Sequence, residues 1–232
     1  MNRPGIILAS SSPRRRLLLR QIGLAFDVLP ADMSEEVAPG VAPADTVEAL
    51  SLDKALMVAE QLASRRDPES CGIRDAMVIG ADTIVVLDGQ ILGKPDDTDH
   101  AAAMLRSLSG RTHQVYTGVA LVFGSKLVDA AGLGRLPASN RNGFRHHLFH
   151  ERTDVTFGLL ADEEITAYVD SGSPMDKAGA YGIQDDLGAL FVERIDGDYY
   201  NVVGFPLFRF YREVNKLAPG IVTPFAPVTG VK

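Results

Sequence analysis

Apolar positions along the chain recur at two spacings that take turns, one that suits strands and one that suits helices. Ile6 to Ala9 is a short continuous apolar run of the kind a buried strand carries, and Leu17, Leu18, Leu19 and Ile22 then recur as one helical face. Phe26-Asp27-Val28-Leu29 reads as a second strand, followed by an acidic turn at Asp32, Glu35 and Glu36. Asp45 with Glu48 has the form of a capping box and predicts a helix through about Arg66, with Val47, Leu50, Lys54, Met57, Val58, Gln61 and Leu62 on adjoining turns. From Met77 to Leu87 runs an apolar stretch interrupted only by Gly80 and the polar pair Asp82-Thr83, closed by the hairpin signal Asp88-Gly89. Ile91 to Pro95 leads into a turn, Asp97 to Leu108 into a helix, and His113 to Phe123 alternates as a strand with Val115, Thr117, Val119 and Leu121 on one side.

The pattern dissolves between about Gly124 and Arg152, a stretch rich in glycine, proline, asparagine and arginine that reads as an exposed loop excursion. It returns with a strand over Thr153 to Leu160, a short helix over Asp162 to Val169, a strand near Phe191 to Ile195, a second Asp-Gly hairpin at Asp196-Gly197, and a helix over about Leu207 to Leu217. Helices alternate with strands while hairpin signals also occur. The expected fold is therefore α/β, a mixed twisted sheet with flanking helices. The length fits one large domain, taken over residues 1–218, or two lobes around a cleft, followed by a Pro-rich tail over 219–232.

Composition narrows the function classes. A net charge of −7 argues against broad attraction to nucleic acid or to an anionic membrane. The single cysteine, Cys71, rules out an internal disulfide framework and fits a reducing compartment. The apolar run before the serines is too short for a secretory leader, and no run approaches the roughly 20 residues a bilayer span needs, so a cytoplasmic protein is expected.

Three stretches carry candidate chemistry. In Ser10-Ser11-Ser12-Pro13-Arg14-Arg15-Arg16, Ser12 suits a helix cap and Pro13 the first turn, so free N–H groups and arginine forks point off the end of the first strand. Two readings fit, an anion site led by Arg14 or a capped surface helix with solvated arginines. Asp82 sits within an apolar run, where a carboxylate must be paired or placed at a watery edge; it either faces a site or bonds nearby backbone N–H groups. In Asp176-Lys177-Ala178-Gly179-Ala180-Tyr181-Gly182-Ile183-Gln184, the glycines permit close backbone approach, Lys177 offers a point charge and Gln184 a donor and an acceptor for a base edge. Lys54, beside an apolar stripe, points into a cleft or snorkels at the core's edge. His146 and His150 have the spacing of helical metal ligands but lack a matching carboxylate.

Taken together and in order, Leu8 to Arg15, Gly80 to Val85, Leu92 to Pro95, Asp176 to Gln184 and Tyr200 to Gly204 resemble the motifs of the Maf family of nucleoside triphosphate pyrophosphatases, over about Ile6 to Leu217. The resemblance implies a fold similar to inosine triphosphate pyrophosphatases, and hydrolysis of a nucleoside triphosphate to monophosphate and pyrophosphate with a divalent metal, Mg²⁺ or Mn²⁺. The Ser-Pro-Arg-Arg start, Thr83 after Asp82 and Gln184 ending Ala-Tyr-Gly-Ile-Gln resemble the branch that prefers dTTP and UTP. It further implies Asp82, Glu35 and Lys94 as catalytic residues and Asp82 with Glu35 as metal ligands. Ser10, Arg14, Arg15, Lys54, Thr83, Lys177 and Gln184 are implied as substrate-binding, with Arg14, Thr83 and Gln184 at the specificity positions. A homodimer is also implied. The alternative is a non-catalytic nucleotide-binding regulator of division or growth. The excursion and the tail are longer than the family's usual pattern.

Overall fold

The computed structural model of the chain describes residues 5–33, 40–64, 75–137, 143–185 and 187–222. Glu35, Glu36, Cys71, Arg65 to Pro68 and most of the Pro-rich tail lie outside the described residues. Strands β1 (Gly5–Leu8), β2 (Asp27–Val28), β3 (Ala76–Leu87), β4 (Gln90–Leu92), β5 (Thr112–Phe123), β6 (Arg145–Phe157) and β7 (Val192–Asp196) form one mixed sheet in the order β2-β1-β3-β5-β6-β7, with β4 paired to β3. β1 runs parallel to β2 and β3, and the other pairings are antiparallel. The mixed α/β sheet expected from the alternating patterns is the sheet found. Among the described residues no helix is long and apolar enough to cross a membrane.

Strand alternation sorts the side chains into two layers. Ile6, Leu8, Met77, Ile79, Leu121 and Phe123 join the larger core cluster with residues of helices α1 (Pro13–Gln21), α3 (Thr98–Leu108), α5 (Asp162–Asp170) and α7 (Leu207–Leu217). Ile7, Ala9, Val78, Ala120 and Val122 face helix α2 (Pro43–Ser64) through Ala55, Val58, Ala59 and Leu62. Two glycines let α2 lie with its backbone against the sheet. A Cβ on Gly80 would sit 2.0 Å from the Ser51 carbonyl oxygen, and one on Gly118 would sit 2.3 Å from that of Val47. This close seat brings the middle of α2, and Lys54 with it, down onto the centre of β3.

Several local expectations change. Leu17 is 65% exposed, while Leu18 and Leu19 are buried. At about 100° per residue three successive leucines cannot share one helical face, and the residue a turn before Leu18 and Leu19 on that face is Arg15, not Arg14. Helix α2 begins at Pro43, so Asp45 lies inside its first turn, and Glu48 bonds His150 instead of closing a capping box.

The excursion is shorter than expected. Ser125–Ala131 form helix α4, and β6 starts at Arg145. The strand was masked because its polar residues meet polar partners: His147 pairs with Glu213 and Glu151 with Arg209 on α7, and His150 pairs with Glu48 on α2. His146 and His150 thus lie on a strand. Among the described residues no group of three or more His, Cys, Asp or Glu could hold a metal.

No hairpin follows Asp196. Asp198 caps helix α6 (Tyr199–Val203), its Oδ1 accepting from the Tyr200 N–H at 2.8 Å, and Gly197, at φ 135°, lies where a Cβ would meet Thr153.

Candidate active site

The cleft arises from a gap in the sheet. β1 ends with Leu8 opposite Ile79, and on the same side of β3 the β4 pairing covers only Val85 to Leu87. Between them Gly80 to Ile84 are paired to β5 on the far side alone. Because the strand edge is open there, alternating side chains from both of its faces reach the same space. Asp82 points toward α2 and Thr83 toward α1, and both line one cavity of about 250 Å³. The interrupted apolar run seen in the sequence is this uncovered edge.

Ser10, Arg14, Arg15, Lys54, Asp82, Thr83, Lys94, Lys177 and Gln184 all line that cavity. The structure therefore brings together every predicted site residue it describes, from five separate parts of the chain; Glu35 is not among the described residues. Arg14 and Arg15 are not the solvated arginines of a merely capped surface helix, since both are held by bonds to other segments. Ser12 does cap the helix, its Oγ accepting from the Arg15 N–H at 3.4 Å.

Asp82 and Lys54 form a buried ion pair, with Lys54 Nζ 2.5 Å from Asp82 Oδ1 and both residues under a tenth exposed. Each answers the other's burial, which is why an aspartate survives in an apolar strand and a lysine beside an apolar stripe.

Arg15 is a clamp. Its Nε donates to the Gly204 carbonyl at 2.9 Å, one terminal nitrogen to Ser10 Oγ at 3.1 Å and the other to Thr83 Oγ1 at 2.9 Å. It ties α1 and the second residue after β1 to β3 and the end of α6. Beneath it, Thr117 Oγ1 donates to the Asn201 carbonyl at 3.1 Å, so the 2.9 Å contact between Thr83 and Thr117 uses the Thr83 proton. Thr83 accepts from Arg15 and gives its proton to Thr117. What it turns to the cleft is a lone pair. Asn201, itself fully buried, donates to the Val115 carbonyl at 3.0 Å and to Thr153 Oγ1 at 2.9 Å. Thr117 and Asn201 had no predicted role; the available signal was a polar residue at an inward position of an alternating strand and a polar residue inside a recognised motif.

The opposite wall is the turn after α5. The Gly179 N–H donates to the Gly93 carbonyl at 2.9 Å, which joins the Lys94 segment to the Lys177 segment. Arg14, at the rim, donates to Asp176 Oδ2 at 3.0 Å, and Lys177 Nζ donates to Asp176 Oδ1 at 2.7 Å and lies 3.0 Å from Asp185 Oδ2. Partial burial pushes the Asp176 carboxyl up, but the Lys177 hydrogen bond and the charges of Arg14 and Lys177 outweigh it and hold the group below its ordinary range. Gln184 Nε2 donates to Asp185 Oδ1 at 2.9 Å. Asp176 and Asp185, the carboxylates that organise this wall, were not among the predicted site residues.

Behind the turn, Tyr181 shares a 2.8 Å hydrogen bond with Nε2 of the fully buried His113. Burial lowers the imidazole from 6.5 to about 4, with the Asp154 charge opposing weakly. The unfolded chain takes up that proton below about pH 6.5, whereas the folded chain resists it until about pH 4. Stability is therefore full above the upper value and falls as pH drops through the window, by about 3 kcal/mol at its lower end. In His113→Gln this loss disappears. Urea midpoints of the two proteins should converge as pH is lowered from about 7 to about 4.5, and parallel curves would refute the assignment.

The comparison with known proteins bears on this arrangement directly. The family model described as "Maf-like protein" matches residues 5–217, which span every strand and helix that contributes to the cleft. The chain belongs to the Maf family. Its relatives include proteins named dTTP/UTP pyrophosphatase from Salinibacter ruber, 48% identical over 207 residues and covering 89% of this chain and 88% of the relative. Another, from Agathobacter rectalis, is 48% identical over 214 residues, covering 91% and 97%. A third, from Bacillus cereus strain AH820, is 44% identical over 211 residues, covering 91% and 94%. The Maf resemblance drawn from five short motifs thus extends across nearly the whole chain.

Proposed function

We propose that this Maf protein hydrolyses dTTP and UTP, modified pyrimidine nucleotides included, to the nucleoside monophosphate and pyrophosphate. The observation that carries the reading is the single cleft in which Asp82 stands among Arg14, Lys54, Lys94 and Lys177. A triphosphate brings several negative charges into such a space, and positioning with charge neutralisation does most of the work of phosphoryl chemistry. The relatives named dTTP/UTP pyrophosphatase agree with it.

In the proposed mechanism Asp82 orients a water and takes its proton as the water oxygen attacks the α-phosphorus. The bond from the α-phosphorus to the bridging oxygen breaks, and pyrophosphate leaves with that oxygen, its growing charge met by Lys94, Lys177 and Arg14. Lys54 holds the Asp82 carboxylate in place, and Arg15 with Ser10 fixes the wall carrying Thr83. Thr83 and Gln184 face the base, whose imide edge offers two carbonyl acceptors around one N–H donor.

A divalent ion, Mg²⁺ or Mn²⁺, fits this donor set, because such an ion usually takes one or two protein carboxylates and fills its remaining positions with phosphate oxygens and water. Asp82 with Glu35 would hold it, and it would supply further neutralisation of the phosphates. The walls formed by α1 and by the Lys177 turn are read as two lobes similar to those of inosine triphosphate pyrophosphatases.

The test is pyrophosphate release by the purified protein across the common nucleotides in ¹⁸O-enriched water. Fast turnover of UTP and dTTP with the label in the monophosphate is expected. Orthophosphate as the product, or faster turnover of GTP than UTP, would overturn the reading.

A further inference from the structure

We propose that Asp185 is a specificity-positioning residue, which fixes the direction in which Gln184 presents its amide and so sets the enzyme against cytosine nucleotides. The inference rests on the reading of Gln184 as facing the base. Asp185 Oδ1 accepts from Gln184 Nε2 at 2.9 Å, while its Oδ2 accepts from the Tyr168 hydroxyl at 3.2 Å and from Ser173 Oγ at 3.0 Å, and lies 3.0 Å from Lys177 Nζ. Tyr168 is itself fixed, taking the Gly182 N–H at 3.0 Å, and burial with the Asp185 charge helps to push its phenol up to about 12. Gly182 makes room for the carboxylate, since a Cβ there would come within 2.5 Å of Asp185 Oδ2. The carboxylate that meets Gln184 is thus anchored by groups on α5, on the turn after it and on Lys177.

A carboxylate only accepts. A reversed Gln184 would set its carbonyl oxygen against Asp185 Oδ1 and lose a charge-assisted hydrogen bond. The amide nitrogen therefore stays toward Asp185, and the order of donor and acceptor left for a ligand is fixed.

That order separates the two pyrimidine classes. Uracil and thymine carry an N–H at position 3 and a carbonyl at position 4. Cytosine carries a bare nitrogen and an amino group, the same edge with donor and acceptor exchanged. A glutamine free to rotate reads either edge, whereas a held one reads a single order.

The experiment compares kcat/KM for UTP and CTP in the wild type, Asp185→Asn, Asp185→Ser, Gln184→Ala and Gln184→Ala/Asp185→Asn. The wild type should favour UTP by about tenfold or more. Asp185→Asn, whose amide can face Gln184 either way, should raise the CTP to UTP ratio about tenfold, chiefly through KM for CTP. Asp185→Ser, whose hydroxyl both donates and accepts, should do the same and stands in if the asparagine variant folds poorly. In the Gln184→Ala background the Asp185 change should leave the ratio unmoved.

An equal loss on both nucleotides, which slackening of Lys177 or of the turn alone would cause, overturns the inference and leaves the proposed function standing. So does a ratio that still shifts without Gln184. A wild type that turns over CTP as readily as UTP removes the base reading itself, and the inference with it.

Discussion

Asp82→Asn should lower kcat on UTP by about 10³-fold with little change in KM, the scale expected when a positioned base can no longer take a proton from water. The carboxamide keeps an oxygen where Asp82 Oδ1 accepts from Lys54, so the buried lysine retains a partner and the fold should survive. Lys54→Met provides the contrast. It strands a buried carboxylate without its cation, and loss of one member of a buried pair costs about 3–5 kcal/mol. Thermal melts should therefore place Lys54→Met well below Asp82→Asn, while kinetics show the asparagine variant inactive in a folded state. Turnover by Asp82→Asn near that of the wild type would remove Asp82 from the chemistry.

Arg15→Lys should destabilise the protein by about 2–4 kcal/mol and cut kcat/KM by about tenfold to a hundredfold, although the charge is kept. The guanidinium reaches Gly204, Ser10 and Thr83 at once, from a residue that is only 9% exposed. An ammonium on a single flexible stem cannot meet all three. The acceptors left over are in a place where water reaches them poorly, and Thr83 loses the donor that orders its hydroxyl. Urea unfolding gives the first effect and steady-state kinetics with UTP the second. A lysine variant with the stability and activity of the wild type would show Arg15 to be a charge and not a clamp.

These two residues mark where the reading of the sequence was strong and where it failed. Asp82 was legible because a carboxylate in an apolar run is a local contradiction that needs a site or a partner, and the structure provides a partner in Lys54 and an open edge. Arg15 was legible as the second of two inward arginines, behind Arg14, and as a substrate-binding position that the Maf resemblance implies. Its neighbours on the buried helical face, Leu18 and Leu19, point to Arg15 once the angle per residue is counted, yet its bonds to Gly204 and Thr83 join residues 189 and 68 positions away. Strand β6 failed for a different reason. Its histidines and charges are answered by α2 and α7, so the polar pattern that suggests an exposed loop belongs to a paired strand.

By itself the sequence determined what depends on neighbours along the chain: the alternation that makes β3 and β5, the Ser12 cap, the Asp88-Gly89 turn, and the motifs that mark a Maf protein. Only the tertiary structure decided that β1 and β4 leave a gap along β3, that Asp82 and Thr83 reach one cleft from opposite faces, and that Asp176 and Asp185 hold its far wall. The reason is physical. Periodicity and capping are set by bonds within a few residues, whereas a hydrogen bond between distant segments is set by where helices and strands pack, and no local pattern records its partner.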